Sequence, residues 1–543
     1  MKNKDIYPVY NVWAYIKNFT QPGDMVLDPF GGTGVTAIEA GMNNRRAISI
    51  DINPMAVFMV HSLIAPVNVN DLISSFQKVV EEYNKKQPKT KEEISDALIK
   101  YKHPSGIVLP KGSDVGTVEL LFTDKQLAEL SLLKYIIKKE KNENIRDSLM
   151  LAFSSTLNLI NLTTHPSGQS DITVDSAPMR YYRYRIAPKH KDLNVIDTYT
   201  NKFRGVLNAK KDIQGSINES NIKDLQILRG SATNLKGIPD KSVDYIYTDP
   251  PYGKKIPYLD LSIMWNAWLD FDVTKEDYNQ EAIEGGKYNK YKDEYNKLIA
   301  ESIREMYRVL KFDRWMCFVF AHKDPEFWHL IIETAESCGF EYVGAVPQKN
   351  GQTSFKKRQH PFTVLSGQLI ITFKKVNNPK VIMKANLGMN ISDIIIQTIE
   401  GIVAKNNSAT LEQINDELII KGLELGFLDL LKKQYTDLTP LLLENFDFDE
   451  TLQQYKLKKH AKFKAHIEVR LRIRYYLQSY LTRMGRENKE PSFDDIINNI
   501  MPLLKNGTTP ENQTILKVLE DIGEHDKHKG GWRLKNTNQP SLF

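Results

Sequence analysis

Seven residues, Asp28-Pro29-Phe30-Gly31-Gly32-Thr33-Gly34, constrain this chain more than any other stretch of it. Met25 to Leu27 read as a strand, the glycines let the backbone turn sharply at its end, and the stretch beyond Gly34 has a helical pattern. A second apolar run, Ala47 to Ile50, ends in Asp51, so the chain opens with a strand, helix, strand unit. Asn53-Pro54 then offers an N-cap and a first-turn proline for a helix over Met55 to Leu63. A helix entered from a glycine turn presents free N–H groups, and an acid roughly 20 residues on, at the second strand's end, can hydrogen-bond both hydroxyls of a ribose. A generic glycine turn with a structural Asp, or a phosphate-binding dinucleotide site, would carry similar letters.

The alternation breaks after Pro66. Residues 66 to 221 are mostly helical in pattern, with Leu127, Leu130, Leu133 and Ile137, then Leu149, Phe153, Leu157 and Ile160, at three- and four-residue spacing. Lys-rich 84 to 93 reads as a solvated connection and Gln214 to Ser220 as a return linker. Strand-like runs resume at Leu225 to Leu228, Val243 to Tyr247, Met316 to Phe320, Glu341 to Val346 and Leu369 to Phe373. One α/β sheet interrupted by an insertion is therefore expected. After Asn377-Asn378-Pro379 the pattern turns Leu- and Lys-rich and helical. The 543 residues thus divide into a first sheet part (1–65), a helical insertion (66–221), a second sheet part (222–376) and a mainly helical C-terminal domain (377–543). His466 to Arg474 alternates like a strand while Tyr475 to Leu481 fits a helix, and Gly530 to Leu534 reads as a terminal hairpin or wing.

No apolar run reaches the roughly 18 to 20 residues of a membrane span, and the opening MKNKDIYPVYNVW has no apolar signal core, so a cytoplasmic protein is expected. Cys317 and Cys338 are too few for a disulfide framework, and His322 with His329 lacks a clustered third ligand, so no metal is expected. Charge is unevenly spread. From Arg180 to Lys211 nine Lys/Arg face Asp192 and Asp197, net +7, and from Lys456 to Arg486 ten face Glu468, net +9, which leaves −10 elsewhere beneath a total of +6. Both stretches carry tyrosines, Tyr181, Tyr182 and Tyr184 in one and Tyr475, Tyr476 and Tyr480 in the other, as a nucleic-acid binder would; solvated helix faces give the same counts.

A second constellation, Thr248-Asp249-Pro250-Pro251-Tyr252-Gly253, follows the strand Val243 to Tyr247. Two prolines remove backbone donors and fix φ, so the carbonyls of Asp249 and Pro250 project as acceptors beside an aromatic ring. A tight proline turn without a catalytic role is the structural alternative.

With both constellations in hand, the chain resembles the amino-methyltransferases that use S-adenosylmethionine to methylate exocyclic nitrogens of DNA bases, whose signatures are Asp-Pro-Phe-x-Gly-x-Gly and Asp-Pro-Pro-Tyr. Gln21-Pro22-Gly23-Asp24, Asp51-Ile52-Asn53-Pro54, Gly230-Ser231-Ala232, Ile238-Pro239-Asp240 and Arg308-Val309-Leu310-Lys311 resemble that family too, while Phe312-Asp313-Arg314 stands where it usually has Pro-Gly-Gly. A subgroup of large DNA methylases is similar at Tyr181-Tyr182-Arg183-Tyr184-Arg185 and at Tyr258-Leu259-Asp260-Leu261-Ser262 with Trp265 and Trp268.

The resemblance implies a Rossmann-like methyltransferase sheet, mostly parallel with seven strands, and S-adenosylmethionine as cofactor. Pro29, Phe30, Gly32, Thr33 and Gly34 would shape its pocket, Asp28 would lie near the methionine moiety, Asp51 would bind the ribose, and Ser231, where the family often has an acid, would face the adenine. Asp249 and the Pro250 carbonyl would accept from the amino group of a flipped base, with Pro251 completing the turn and Tyr252 stacking on the ring. DNA contacts are expected from Arg180, Arg183, Arg185 and Lys189 in the insertion, Lys254 and Lys255 beside the turn, and Arg470, Arg472 and Arg474 in the C-terminal domain. The implied function is a site-specific, prokaryotic-type DNA methyltransferase in a restriction-modification or phage-defence setting, with double-stranded DNA and subunits of such a system as partners. Asp as first letter of the turn leans toward adenine N6 over the cytosine amine. An RNA base methyltransferase and a catalytically silent DNA-binding subunit of a defence complex are the alternatives.

Overall fold

A computed structural model describes residues 12–535 except 167–173, 177–178, 181–182, 218, 254–255, 321–324, 350–366, 378–390, 407, 426–437, 459–472, 475–476, 479, 482–483, 486–487, 505–510 and 527–529. The chain divides into two compact units, 1–316 and 317–543, so the sequence-based boundary near 377 falls inside the second.

The first unit opens with α1 (Val12–Phe19), β1 (Met25–Asp28), α2 (Val35–Met42), β2 (Arg46–Asp51) and α3 (Pro54–Ile64). Asn53 caps α3 by accepting from Met55 N at 3.1 Å, with Pro54 in its first turn. The insertion follows as α4 (Val69–Lys86), α5 (Lys91–Lys100), α6 (Asp124–Ile137) and α7 (Glu143–Leu157), then the short strands β3 (Thr164–Pro166), β4 (Val174–Ser176), β5 (Met179–Arg180) and β6 (Arg183–Tyr184), then α8 (Val195–Ser216) and α9 (Glu219–Ile222). The sheet resumes with β7 (Leu225–Arg229) and β8 (Val243–Thr248), followed by α10 (Tyr258–Leu261), α11 (Ile263–Trp268), α12 (Lys275–Gln280) and α13 (Lys292–Val309). β9 (Leu310–Phe320), α14 (Pro325–Cys338), β10 (Phe340–Lys349) and β11 (Gly367–Lys375) complete it.

All seven strands read from the sequence form one sheet, in the order β10-β11-β9-β8-β1-β2-β7. β1 pairs parallel with β2 and β8, β2 pairs parallel with β7, and β10 pairs antiparallel with β11. This is the Rossmann-like arrangement the motifs imply. Burial explains the order: every residue of β8 is buried, as a central strand requires, whereas β7 at the edge buries only Leu225. Buried Asp244 on β8 is compensated by the Met25 N–H at 3.0 Å, Lys311 at 2.7 Å and Arg314 at 3.1 Å. The departure at 312–314 also gains a reason: Asp313 holds a left-handed φ of 59°, a conformation glycine adopts without strain, while Arg314 pairs with Asp24 and Asp244.

Two connections are shorter than expected. Helix α4 continues to Lys86 and α5 begins at Lys91, with Thr90 and Glu93 forming a capping box, so only 87–90 connect them. Helix α8 runs through Gln214, which donates to the Val67 carbonyl at 3.0 Å, so the polar run 214–216 is helix, not linker. Buried Lys210, one turn earlier, donates to the Ala65 carbonyl at 2.8 Å, just past the end of α3; burial pushes its pKa down to about 8. A residue counted in the basic stretch thus fastens the insertion to α3. Tyr184 from the same stretch is likewise core, fully buried, donating to the Leu261 carbonyl at 2.8 Å. Trp268 fills the seam between α11 and the insertion against Phe122 and Phe153.

In the second unit, helices Ile391–Asn406, Leu411–Leu425 and Thr439–Asn445 pack with the ribbon Phe446–Asp449/Gln454–Leu457 around Ile399, Ile414 and Leu442. The expected terminal hairpin is present as Gly523–Asp526 paired with Gly531–Leu534, its Trp532 buried against Val518, Leu519 and Ile522. Among the described residues no helix is long and apolar enough to cross a membrane. His466 to Arg472 and His322 lie outside the described residues.

Candidate active site

The two signatures meet at the carboxyl ends of β1, β2 and β8, the edge where open parallel sheets bind ligands. Across 220 residues of sequence, Thr248 at the end of β8 donates its hydroxyl to Asp28 at 2.9 Å. Asp28 also accepts from Thr36 at 2.8 Å and from the Phe30 N–H at 3.1 Å. Burial raises its pKa to about 6 against these three bonds, and the nearby charge of Asp249 adds to the rise. Its carboxylate therefore ties β1, α2 and β8 together.

The loop after β1 is shaped by contact with β2. Gly31 donates to the Ile50 carbonyl at 2.8 Å, and a Cβ there would lie 2.0 Å from the Ser49 hydroxyl. Gly32 and Gly34 have φ of 49° and 78°. Above Gly32 the space is open, with nothing nearer than 3.9 Å to the place of a Cβ, and Thr33 is exposed beside it. Asp51 receives one backbone donor on each carboxylate oxygen, Gly32 N and Asn53 N, both at 2.8 Å. Each oxygen keeps a lone pair able to accept a further hydrogen bond, and burial holds the pKa above the ordinary value. The Gly230 N–H donates to the Asp51 carbonyl at 3.0 Å, which brings Ser231 to the same edge. Ser231 is buried, its hydroxyl engaged with Thr233 at 2.8 Å.

At the end of β8 the chain leaves the core abruptly: Thr248 is buried and Asp249 exposed. Tyr252 donates its hydroxyl to Asp249, and burial with the adjacent carboxylate pushes the phenol pKa up. The turn is held from behind. Buried Tyr295 on α13 donates to the Pro251 carbonyl at 2.7 Å, and the Glu284 N–H donates to the Gly253 carbonyl at 3.2 Å. Tyr295 was not singled out from the sequence, where it is one more apolar position in the spacing 295, 299, 303, 306. Thr248 acts in the site through its bond to Asp28, a contact no local pattern announces.

The described residues among those expected to touch DNA differ in how they are engaged. Arg185 is paired with Asp114 at 2.6 Å and Arg183 is half-buried near Asp260, while Lys189 and Arg474 are exposed. Arg180 closes β5, its side chain outside the described residues, as are Lys254, Lys255, Arg470 and Arg472.

The sheet, the glycine loop and the acid at the end of β2 define the class of fold, a Rossmann-like α/β sheet of the kind methyltransferases use, and the open Gly32 face and the two spare acceptors of Asp51 fit S-adenosylmethionine as cofactor. Residues 5–60 match the model of a family described as DNA methylase. The chain is 23% identical over 305 residues to the type II methyltransferase M.MvaI of Kocuria varians, covering 52% of this chain and 62% of that one. It is 22% identical over 362 residues to the type II methyltransferase M.MjaII of Methanocaldococcus jannaschii, covering 55% and 67%. The match thus spans less than two thirds of the M.MvaI chain. These findings bear out the resemblance to the S-adenosylmethionine-dependent DNA amino-methyltransferases. Among solved structures, a TehB-like SAM-dependent methyltransferase from Corynebacterium glutamicum is 8% identical with a TM-score of 0.24, covering 69% of this chain and 90% of that one. The rRNA methyltransferase AviRa of Streptomyces viridochromogenes is 8% identical with a TM-score of 0.21, covering 68% and 88%. Likenesses this slight add nothing to the strand order itself.

Proposed function

We propose that this protein is a site-specific DNA amino-methyltransferase acting on the exocyclic amine of a base turned out of the duplex, with adenine N6 as the target, in a restriction-modification or phage-defence setting. The observation that carries the reading is the join between the two signatures, with Asp249 to Tyr252 beginning one residue beyond the Thr248 that donates to Asp28. S-Adenosylmethionine, when bound, supplies an electrophilic methyl group on a sulfonium. The protein's part is to hold and prepare the amine. An aromatic amine is a poor nucleophile because its lone pair is delocalised into the ring. Asp249 and the Pro250 carbonyl, neither absorbed into the sheet, accept its two N–H bonds and favour a pyramidal nitrogen whose lone pair can be aimed in line. Asp249 exchanges the Tyr252 hydroxyl for the amino donor as the base enters, which frees the Tyr252 ring to stack against it. Asp51 orients the cofactor's ribose from the other side of the loop.

The test is transfer of labelled methyl from S-adenosylmethionine to unmethylated genomic DNA, followed by nucleoside digestion and mass spectrometry, with Asp249→Ala alongside. The wild type should yield N6-methyladenine, and the variant should lose on the order of 10³ in rate while binding the cofactor within about twofold. Equal loss of transfer and cofactor binding would sink the assignment of Asp249. N4-methylcytosine in place of methyladenine would move only the target base. No product on DNA with cofactor bound would shift the reading to an RNA substrate or a silent subunit.

A further inference from the structure

The proposed reaction leaves unused a loop that stands against the catalytic turn. Residues 283–291, Ile-Glu-Gly-Gly-Lys-Tyr-Asn-Lys-Tyr, form most of the connection 281–291 between α12 and α13. Its backbone closes on itself through Gly285 N to Lys290 O at 2.8 Å, Lys290 N to Gly285 O at 2.9 Å and Asn289 N to Gly286 O at 3.1 Å. Gly285, Gly286 and Asn289 all take left-handed φ, of 91°, 66° and 50°. Buried Lys290 spends its ammonium on the backbone carbonyls of Asn279, at 3.0 Å, and Glu281. The loop is therefore a preformed, pinned structure.

It is also fixed to the site. The Glu284 N–H bonds to the Gly253 carbonyl, and Tyr295, one helical turn beyond Tyr291, bonds to the Pro251 carbonyl. From this base two large aromatic side chains reach solvent: Tyr288, 42% exposed and set edge-on against Tyr278 with ring centroids 5.7 Å apart, and Tyr291, 79% exposed. The Tyr291 backbone N–H is held by Glu294 at 2.8 Å, so its position is set while its side chain stays in water. Lys287 adds a cation, its ammonium 4.4 Å from the Tyr278 ring centroid.

A rigid element that holds aromatic rings in water beside a base-binding turn fits one kind of occupant, because turning a base out of a duplex leaves unstacked neighbours that aromatic faces can cover. We propose that Tyr288 and Tyr291 contact the bases and sugars of the DNA strand flanking the target base, with Lys287 facing its phosphates. This rests on the DNA methyltransferase reading above.

The experiment uses the full chain with Tyr291→Ala, Tyr288→Ala/Tyr291→Ala and Tyr291→Phe, assayed for KM on genomic DNA fragments, for cofactor binding by calorimetry and for Tm. The double variant should raise KM for DNA by about tenfold or more, with cofactor affinity within twofold and Tm unchanged. Tyr291→Phe, which keeps the ring, should stay near the wild type. An active wild type whose double variant keeps its KM overturns this inference and leaves the proposed function standing. Parallel loss of Tm or cofactor binding also overturns it, by making the tyrosines structural. A wild type that binds cofactor but transfers nothing to DNA overturns both.

Discussion

Asp28, Asp51, Asp260 and Glu281 are acids of one unit whose pKa values are raised, each by burial first. Burial of a carboxyl favours its protonated form, so such groups make folding depend on pH. Glu281 shows the sign most simply: its pKa rises from the ordinary 4.5 to about 7, through burial and the neighbouring charges of Asp260 and Asp51, opposed by the Leu259 N–H bond and Lys290. The stability it contributes is full below about 4.5 and is lost as pH climbs through about 7. Glu281→Gln keeps an acceptor for Leu259 N and removes the titration. Urea unfolding at a series of pH values should show the loss of stability between those limits shrink by about 3 kcal/mol; an unchanged slope would mean another group titrates there.

The loop between β1 and α2 shows how an element sets the geometry of a site. Gly34 sits at φ 78° where α2 begins, and a Cβ there would meet Val60 of α3 at 2.5 Å. Gly34→Ala should therefore cost both left-handed strain and overpacking, about 2–4 kcal/mol together in urea unfolding. A double-mutant cycle with Val60→Ala should return a favourable coupling of about 1–3 kcal/mol, since shortening Val60 removes the clash but not the strain. Strict additivity would show that α3 is not what excludes a side chain there. The turn from Asp249 to Gly253 depends on elements in the same way. The prolines leave its carbonyls without ladder partners, but Tyr295 of α13 and Glu284 of the adjoining loop supply the donors that fix two of them.

Taken together, the charge of the chain divides its labour. Part of the insertion's basic stretch is already partnered within the chain, buried Lys210 by the Ala65 carbonyl and Arg185 by Asp114 in a surface pair. Phosphate binding by the C-terminal stretch is a separate expectation. Replacing Arg470, Arg472 and Arg474 with Ala should weaken DNA binding uniformly across sequences and reduce the slope of log affinity against log salt by up to about 2.7. A change in site preference in its place would assign those arginines to base readout.

Local chemistry made the strands, the two signature turns and the Asn53 cap legible in the letters alone. Strand periodicity, the φ freedom of glycine and the missing N–H of proline act within a few residues, and the structure has all seven strands where those rules put them. The same rules misjudged Asn84 to Lys86 and Gln214 to Ser216, since packing extended helices through polar letters. What no local rule reaches is the pairing of groups far apart in the chain. Thr248 with Asp28, Tyr295 with Pro251 and Lys210 with Ala65 are separated by 220, 44 and 145 positions. Whether a basic or aromatic side chain faces solvent or closes a core was decided there, because burial strips its water and obliges it to find a partner inside the fold.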